Sequence, residues 1–171
     1  MILRSDVTEY PSFFATYIDK VPPGDILQQM VDQIEAVKQT FGVLTSAQAE
    51  YRYAPGKWSS KDILGHLVDS ERVFAYRALR FARGDQTDLP GFDQDPYVAN
   101  GGFQTRSVNS MLDELIPQRQ SNLVLFQSMS EDMLTRSGLA DGKPITVRSI
   151  PCILVGHIIH HLQVIETRYQ V

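Results

Sequence analysis

Histidine and cysteine are scarce in this 171-residue chain, and so is positive charge. The one cysteine, Cys152, excludes an internal disulfide and fits a reducing compartment. Sixteen Lys and Arg against 20 Asp and Glu leave a net charge of -4, without the basic surface of a nucleic-acid binder. The start of the chain, Met1 to Tyr10, carries Arg4, Asp6 and Glu9 and has no apolar signal core. The most apolar run, Ile150 to Ile159, is far shorter than the ~20 residues that span a bilayer. The expectation is a cytoplasmic protein with neither nucleic acid nor membrane as partner. At 43% hydrophobic and 21% charged, the chain suits one domain over residues 1–171 with a real core.

Strand signals are missing as well, and the pattern is helical. Tyr10, Phe13, Phe14, Tyr17 and Ile18 mark a short N-terminal helical segment with an aromatic face, broken by Val21-Pro22-Pro23-Gly24. Asp25 is a good N-cap, and Gln28 completes a capping box. Ile26, Met30, Ile34, Val37 and Phe41 recur at helical spacing and predict a first long helix over 26–44. An extended link over 51–57 leads to Ser59, which caps the second long helix with Asp62 three residues on. Gly84 ends that helix.

The connection over 84–106 is long and acidic, the kind of segment that serves as a lid or as a solvated crossover. Ser107 caps a third helix over 108–128, which Pro117 should kink. Ser130-Glu131-Asp132 marks a further short turn, Asp141-Gly142-Lys143-Pro144 breaks the chain, and Thr146 caps a fourth helix over 147–168. The fold class is all-α, a four-helix bundle with a long connection between helices two and three.

Three of the four histidines lie within Gly156-His157-Ile158-Ile159-His160-His161. On a helix, His157 and His161 project the same way from consecutive turns. That is the spacing of the two-histidine zinc motif, without its intervening glutamate. His66, inside the apolar stripe of the second helix, is the one histidine left to complete a site with open coordination positions. A single histidine on an apolar face can equally be a satisfied core residue. In an up-down-up-down bundle the second and fourth helices run parallel. All three histidines then fall within roughly two turns of one level. Gly65 and Gly156, each preceding a histidine, imply close helix packing or room for a substrate.

Several stretches together carry a family resemblance: Gly56-Lys57-Trp58-Ser59, Gly65-His66-Leu67-Val68-Asp69-Ser70-Glu71, Pro90-Gly91-Phe92-Asp93, Gly156-His157 through His160-His161, and Arg168-Tyr169. In order and spacing, from about Pro22 to Tyr169, the chain resembles the DinB/YfiT-like superfamily of proposed metalloenzymes. The resemblance implies a four-helix bundle, often homodimeric. It also implies a divalent metal on His66, His157 and His161. Some members are thiol S-transferases or isomerases that use bacillithiol, mycothiol or glutathione.

Three neutral imidazoles leave a metal's charge undiminished. Such a centre can lower the pKa of water toward ~7, giving hydrolysis, or hold a thiol as thiolate, giving transfer to an electrophile. Thiol S-transfer on a small-molecule substrate is the favoured expectation, with hydrolysis or non-catalytic binding as alternatives. Zinc or nickel suits the donors best, with iron or manganese open. No general base is evident.

Four further residues are candidates for supporting the site. His160, offset by about 100° from His161, should pack beside the metal rather than bind it. Asp69 could orient the His66 ring. Arg77 and Arg168, eleven residues past His66 and His157, should share a level ~16 Å from the metal. There they would pair with Glu71 or Glu166, or hold the anionic end of a substrate. Cys152 is about 140° round the helix from His157, unsuited to act as nucleophile.

Overall fold

A computed structural model describes residues 1–169. Its four long helices are α2 (Ile26–Phe41), α4 (Ser60–Ala82), α6 (Val108–Gln127) and α8 (Ser149–Arg168). Short helices α1 (Ala15–Ile18), α3 (Ser46–Glu50), α5 (Gln94–Asn100) and α7 (Glu131–Thr135) fill the connections. Ser59 and Asp62 form a reciprocal capping box at α4, and Asp25, Ser107 and Ser130 cap α2, α6 and α7. Each cap satisfies N–H groups that a helix start leaves unpaired. The α6 helix continues through Pro117.

Several local expectations are corrected. At α2, Gln28 bonds Asp32 instead of closing a box with Asp25. That helix stops at Phe41, because Thr45 and Gln48 form a capping box that starts α3. The start of α8 is Ser149, whose N–H donates to Thr146 Oγ1. The 84–106 segment is not open loop. It holds α5, capped by Asp93, and a 3-10 turn at Phe103–Thr105.

A hairpin also appears where no strand was expected, β1 (Ser137–Ala140) and β2 (Lys143–Thr146). Asp141 and Gly142 take φ of 56° and 67°, the left-handed pair that turns a two-residue hairpin. Leu89 docks on it, its N–H donating to the Leu139 carbonyl and its carbonyl accepting from Asp141.

The larger correction is topological. Both α2 and α4 pack against α6 and α8, so α2 lies diagonally across from α4, and α6 from α8. Tyr169 Oη donates to the Trp58 carbonyl, while His66 meets His157, so α4 and α8 are antiparallel, not parallel. Gln104 bonds Ser59 and Asp62 near the start of α4, and Arg136 reaches the Ala82 carbonyl at its end. These contacts make α4 and α6 parallel. A parallel pair needs a connection as long as the helices themselves, and the 84–106 segment supplies it.

Two buried clusters of apolar side chains fill the bundle, one around Phe81, Phe126 and Ile150 and the other around Phe41, Leu64 and Met111. Between them Glu71 accepts from Arg119 Nη2 and Asn122 Nδ2, both at 2.8 Å. Arg119 Nη1 donates to Gln33, and Gln33 Nε2 to the Val155 carbonyl, so this network ties all four long helices. By length and composition α8 could cross a membrane, but it packs between α2 and α4 and is buried over most of its length.

Candidate metal centre

His66 projects from the second turn of α4, and His157 and His161 from the middle of α8. All three are buried. His157 Nε2 lies 2.9 Å from His66 Nε2 and 3.0 Å from His161 Nε2. Ring centroids are 4.5 to 5.1 Å apart, with the planes close to perpendicular. Two glycines beside the histidines permit other segments to approach closely. A Cβ on Gly156 would stand 2.2 Å from the Tyr17 carbonyl oxygen, and one on Gly65 would strike the Phe103 ring. Gly65 and Gly156 thus let the N-terminal segment and the 84–106 segment seat directly on the two histidine helices.

The electrostatics favour neutral rings. Burial pushes the His66 pKa down to about 4 and that of His161 to about 2, and burial with neighbouring imidazoles holds His157 well below the ordinary 6.5. A neutral imidazole nitrogen carries either a proton or one lone pair. Three Nε2 atoms facing one point cannot satisfy each other, because each pair shares at most one proton. One cation answers all three lone pairs. Tetrahedral zinc, with bonds of about 2.0–2.1 Å, sets ligand nitrogens roughly 3.4 Å apart, so the two close pairs need open only by a few tenths of an ångström. The donor set therefore fits a divalent metal.

Supporting contacts differ from those expected for Asp69. Ser70 Oγ lies 3.4 Å from His66 Nδ1, whereas Asp69 lines a shallow groove with Pro96 and Tyr97. Four residues along a helix, the direction returns to within about 40° of the start, while three residues along it falls about 60° short. Trp58 lies 4.9 Å from the His66 ring and stacks near His161, and Tyr17 meets His157 edge-on at 5.1 Å. Neither Trp58 nor Tyr17 was a sequence candidate. The single tryptophan directly ahead of a helix cap was the available signal. His160 is half-buried against Tyr17 and His161, outside the triad. Cys152 is buried under Leu3, with burial raising its pKa.

The triad is not sealed. His66 and His157 open on a cleft of about 400 Å³ walled by Phe14, Tyr17, Phe74 and Phe92, with Arg77 and Lys143. The 84–106 segment contributes Gly91, Phe92 and Gln94 to its rim, and the hairpin contributes Ala140, Asp141, Lys143 and Ile145. A second recess, with His160, Trp58 and Tyr169, lies against His161. Arg77 is buried in the cleft wall without an ion-pair partner among the described residues, because Glu71 is taken by Arg119. With α4 and α8 antiparallel, Arg168 and Glu166 lie exposed at the opposite end. The expected shared level of Arg77 and Arg168 does not exist.

Residues 29–165 match the sequence profile of the DinB superfamily. The chain belongs to the DinB superfamily. Among solved structures, it is similar to YfiT from Bacillus subtilis, described as a probable metal-dependent hydrolase with an unusual four-helix bundle topology. The TM-score is 0.76 at 19% identity, over 85% of this chain and 84% of that one. It is also similar to the mycothiol-dependent maleylpyruvate isomerase, with a TM-score of 0.66 at 12% identity, over 85% of this chain and 61% of that one. No protein of curated function matches the chain by sequence. These likenesses establish a DinB fold.

Proposed function

We propose that this DinB protein is a metal-dependent enzyme, with His66, His157 and His161 holding one zinc or nickel ion, and that it transfers a small thiol to an electrophile in the cleft. The observation that carries the reading is a buried, neutral histidine triad opening on a cavity of about 400 Å³. A purely structural site would be closed on all sides. When bound, such a metal lowers the pKa of a coordinated water or thiol without a dedicated base. Ser70 orients His66, while Trp58 and Tyr17 flank the rings and keep water from their edges. Phe14, Phe74 and Phe92 offer an apolar bed for the substrate body.

Transfer is favoured over hydrolysis because the one carboxylate lining the cleft, Asp141, stands on the rim and is tied to Lys143 at 2.7 Å. Among the described residues, the other carboxylate near the triad, Asp95, lines the recess on the His161 side and not the cleft. The isomerase relative, named as mycothiol-dependent, supports the thiol reading, and the YfiT description supports hydrolysis as the second. The test is conjugation of low-molecular-weight thiols to a chromogenic electrophile by metal-loaded protein. The expected result is acceleration that a chelator and His66→Ala both abolish. Turnover of esters or amides with no thiol bound would replace transfer by hydrolysis.

A further inference from the structure

We propose that Arg77 is an anion subsite of the cleft, selecting small substrates that carry a carboxylate several bonds from the reacting atom. The position of the reacting end rests on the metal-centre reading above. The subsite rests on separate observations. Arg77 is 7% exposed, yet among the described residues no carboxylate forms an ion pair with it, and Asp141, its electrostatic neighbour, is bound to Lys143. Its one hydrogen bond is from Nη2 to the Pro90 carbonyl, at 2.9 Å. The faces of Phe74 and Phe92 hold the guanidinium at 5.6 and 5.9 Å. The other deeply buried arginine, Arg119, is matched by Glu71 at 2.8 Å. A buried charge without its counter-charge is costly, so an arginine kept this way beside a cavity calls for an anion from outside.

The charge count sets the class of anion. Asp141 on the rim is bound to Lys143 and acts on Arg77 only through space, which leaves Arg77 as the unpaired positive charge of the cleft wall. That matches a monoanionic carboxylate, which a guanidinium can grip with two parallel hydrogen bonds. Eleven residues separate Arg77 from His66, about 16 Å of helix axis, shortened by the reach of both side chains. A substrate touching both ends therefore has a chain or ring between them, for which the phenylalanine walls are suited.

The experiment uses metal-free protein and three probes, hexanoate, 1-hexanol and inorganic phosphate, followed by NMR including the arginine Nε–H signals. Hexanoate should bind saturably and shift Arg77, with hexanol and phosphate each weaker by about tenfold or more. Arg77→Gln should erase the preference for hexanoate over hexanol, Arg77→Lys should keep part of it, and Lys143→Gln should change hexanoate affinity less than about threefold. Equal binding of hexanoate and hexanol, or an undiminished preference in Arg77→Gln, would overturn the subsite. A loss in Lys143→Gln as large as in Arg77→Gln would move it to the hairpin, and phosphate as the tightest probe would refute the carboxylate class. If Arg77→Gln does not fold, the Arg77→Lys comparison and the wild-type probe preference still decide. Because no metal is present, failure here leaves the metal centre standing, and failure of metal uptake leaves the subsite standing.

Discussion

Two polar clusters interrupt the apolar interior, and they lie side by side. The Glu71–Arg119–Gln33–Asn122 network begins five residues along α4 from His66 and ends on the Val155 carbonyl, two residues before His157. In the network, both Glu71 oxygens and both ends of the Gln33 amide find partners, and Arg119 Nε alone is left without one. In the triad, three nitrogens converge with too few protons to pair them, and His161 Nδ1 has no partner at all. Burial is similar, yet the triad borders a cleft of about 400 Å³, whereas Gln33 and Arg119 border a recess of only about 10 Å³. A cluster that satisfies itself holds helices together, and one that does not is waiting for a ligand.

That contrast can be broken experimentally, and the largest effect belongs to the network. Glu71→Gln or Arg119→Met leaves a buried partner uncompensated and should cost about 3–5 kcal/mol, a fall in Tm of roughly 10 °C or more. The folded fraction should still bind metal. A Tm loss under about 2 °C would show that the network is dispensable.

Triad substitutions should do the opposite. His157→Ala should abolish metal binding and the Tm gain on adding zinc, while the metal-free protein keeps its Tm within a few degrees. A zinc-induced Tm gain surviving in His157→Ala would place the metal elsewhere. Ser70→Ala should weaken metal affinity by about 10-fold or more through loss of His66 orientation. Unchanged affinity would remove Ser70 from the site.

A pH titration of the metal-free protein separates the clusters further. Burial lowers the His66 pKa from 6.5 to about 4, so the unfolded chain takes up its proton first. This contribution to stability is fully present above pH 6.5 and is lost as pH falls toward 4, on the order of 3 kcal/mol from His66. Replacing all three histidines by alanine should flatten the stability curve in that window, and an unchanged slope would contradict neutral rings. The smallest effect belongs to Cys152, which lies outside the cleft. Cys152→Ser should leave metal content and turnover intact, and lost turnover in stable protein would reassign the thiol.

The helices and the triad were legible because both are periodic. Apolar residues three and four apart mark buried faces, and His157 and His161 share that period with each other. Capping at Ser59 and Ser107 was equally readable, since the cap and the residue that it satisfies are close in sequence. Topology was not read, although its signal was present: the 84–106 connection is long enough for a parallel crossover, which reverses α4 against α8. That one reversal separated Arg77 from Arg168 and gave Glu71 to Arg119. The hairpin escaped because its four-residue strands carry little alternation, so Asp141-Gly142 passed for a simple break. Arg77 could be placed on the buried arc, but its freedom from a carboxylate depends on which helix lies opposite, information that one helix's spacing does not contain.

The central claim is that His66, His157 and His161 hold one divalent metal with a position left open. X-ray absorption on zinc-loaded protein, purified without an affinity tag, tests it most directly. The account predicts one zinc per chain with three imidazole nitrogens at about 2.0–2.1 Å and one further light ligand. A shell of oxygen ligands alone, or the same three-imidazole shell in His66→Ala, would contradict it.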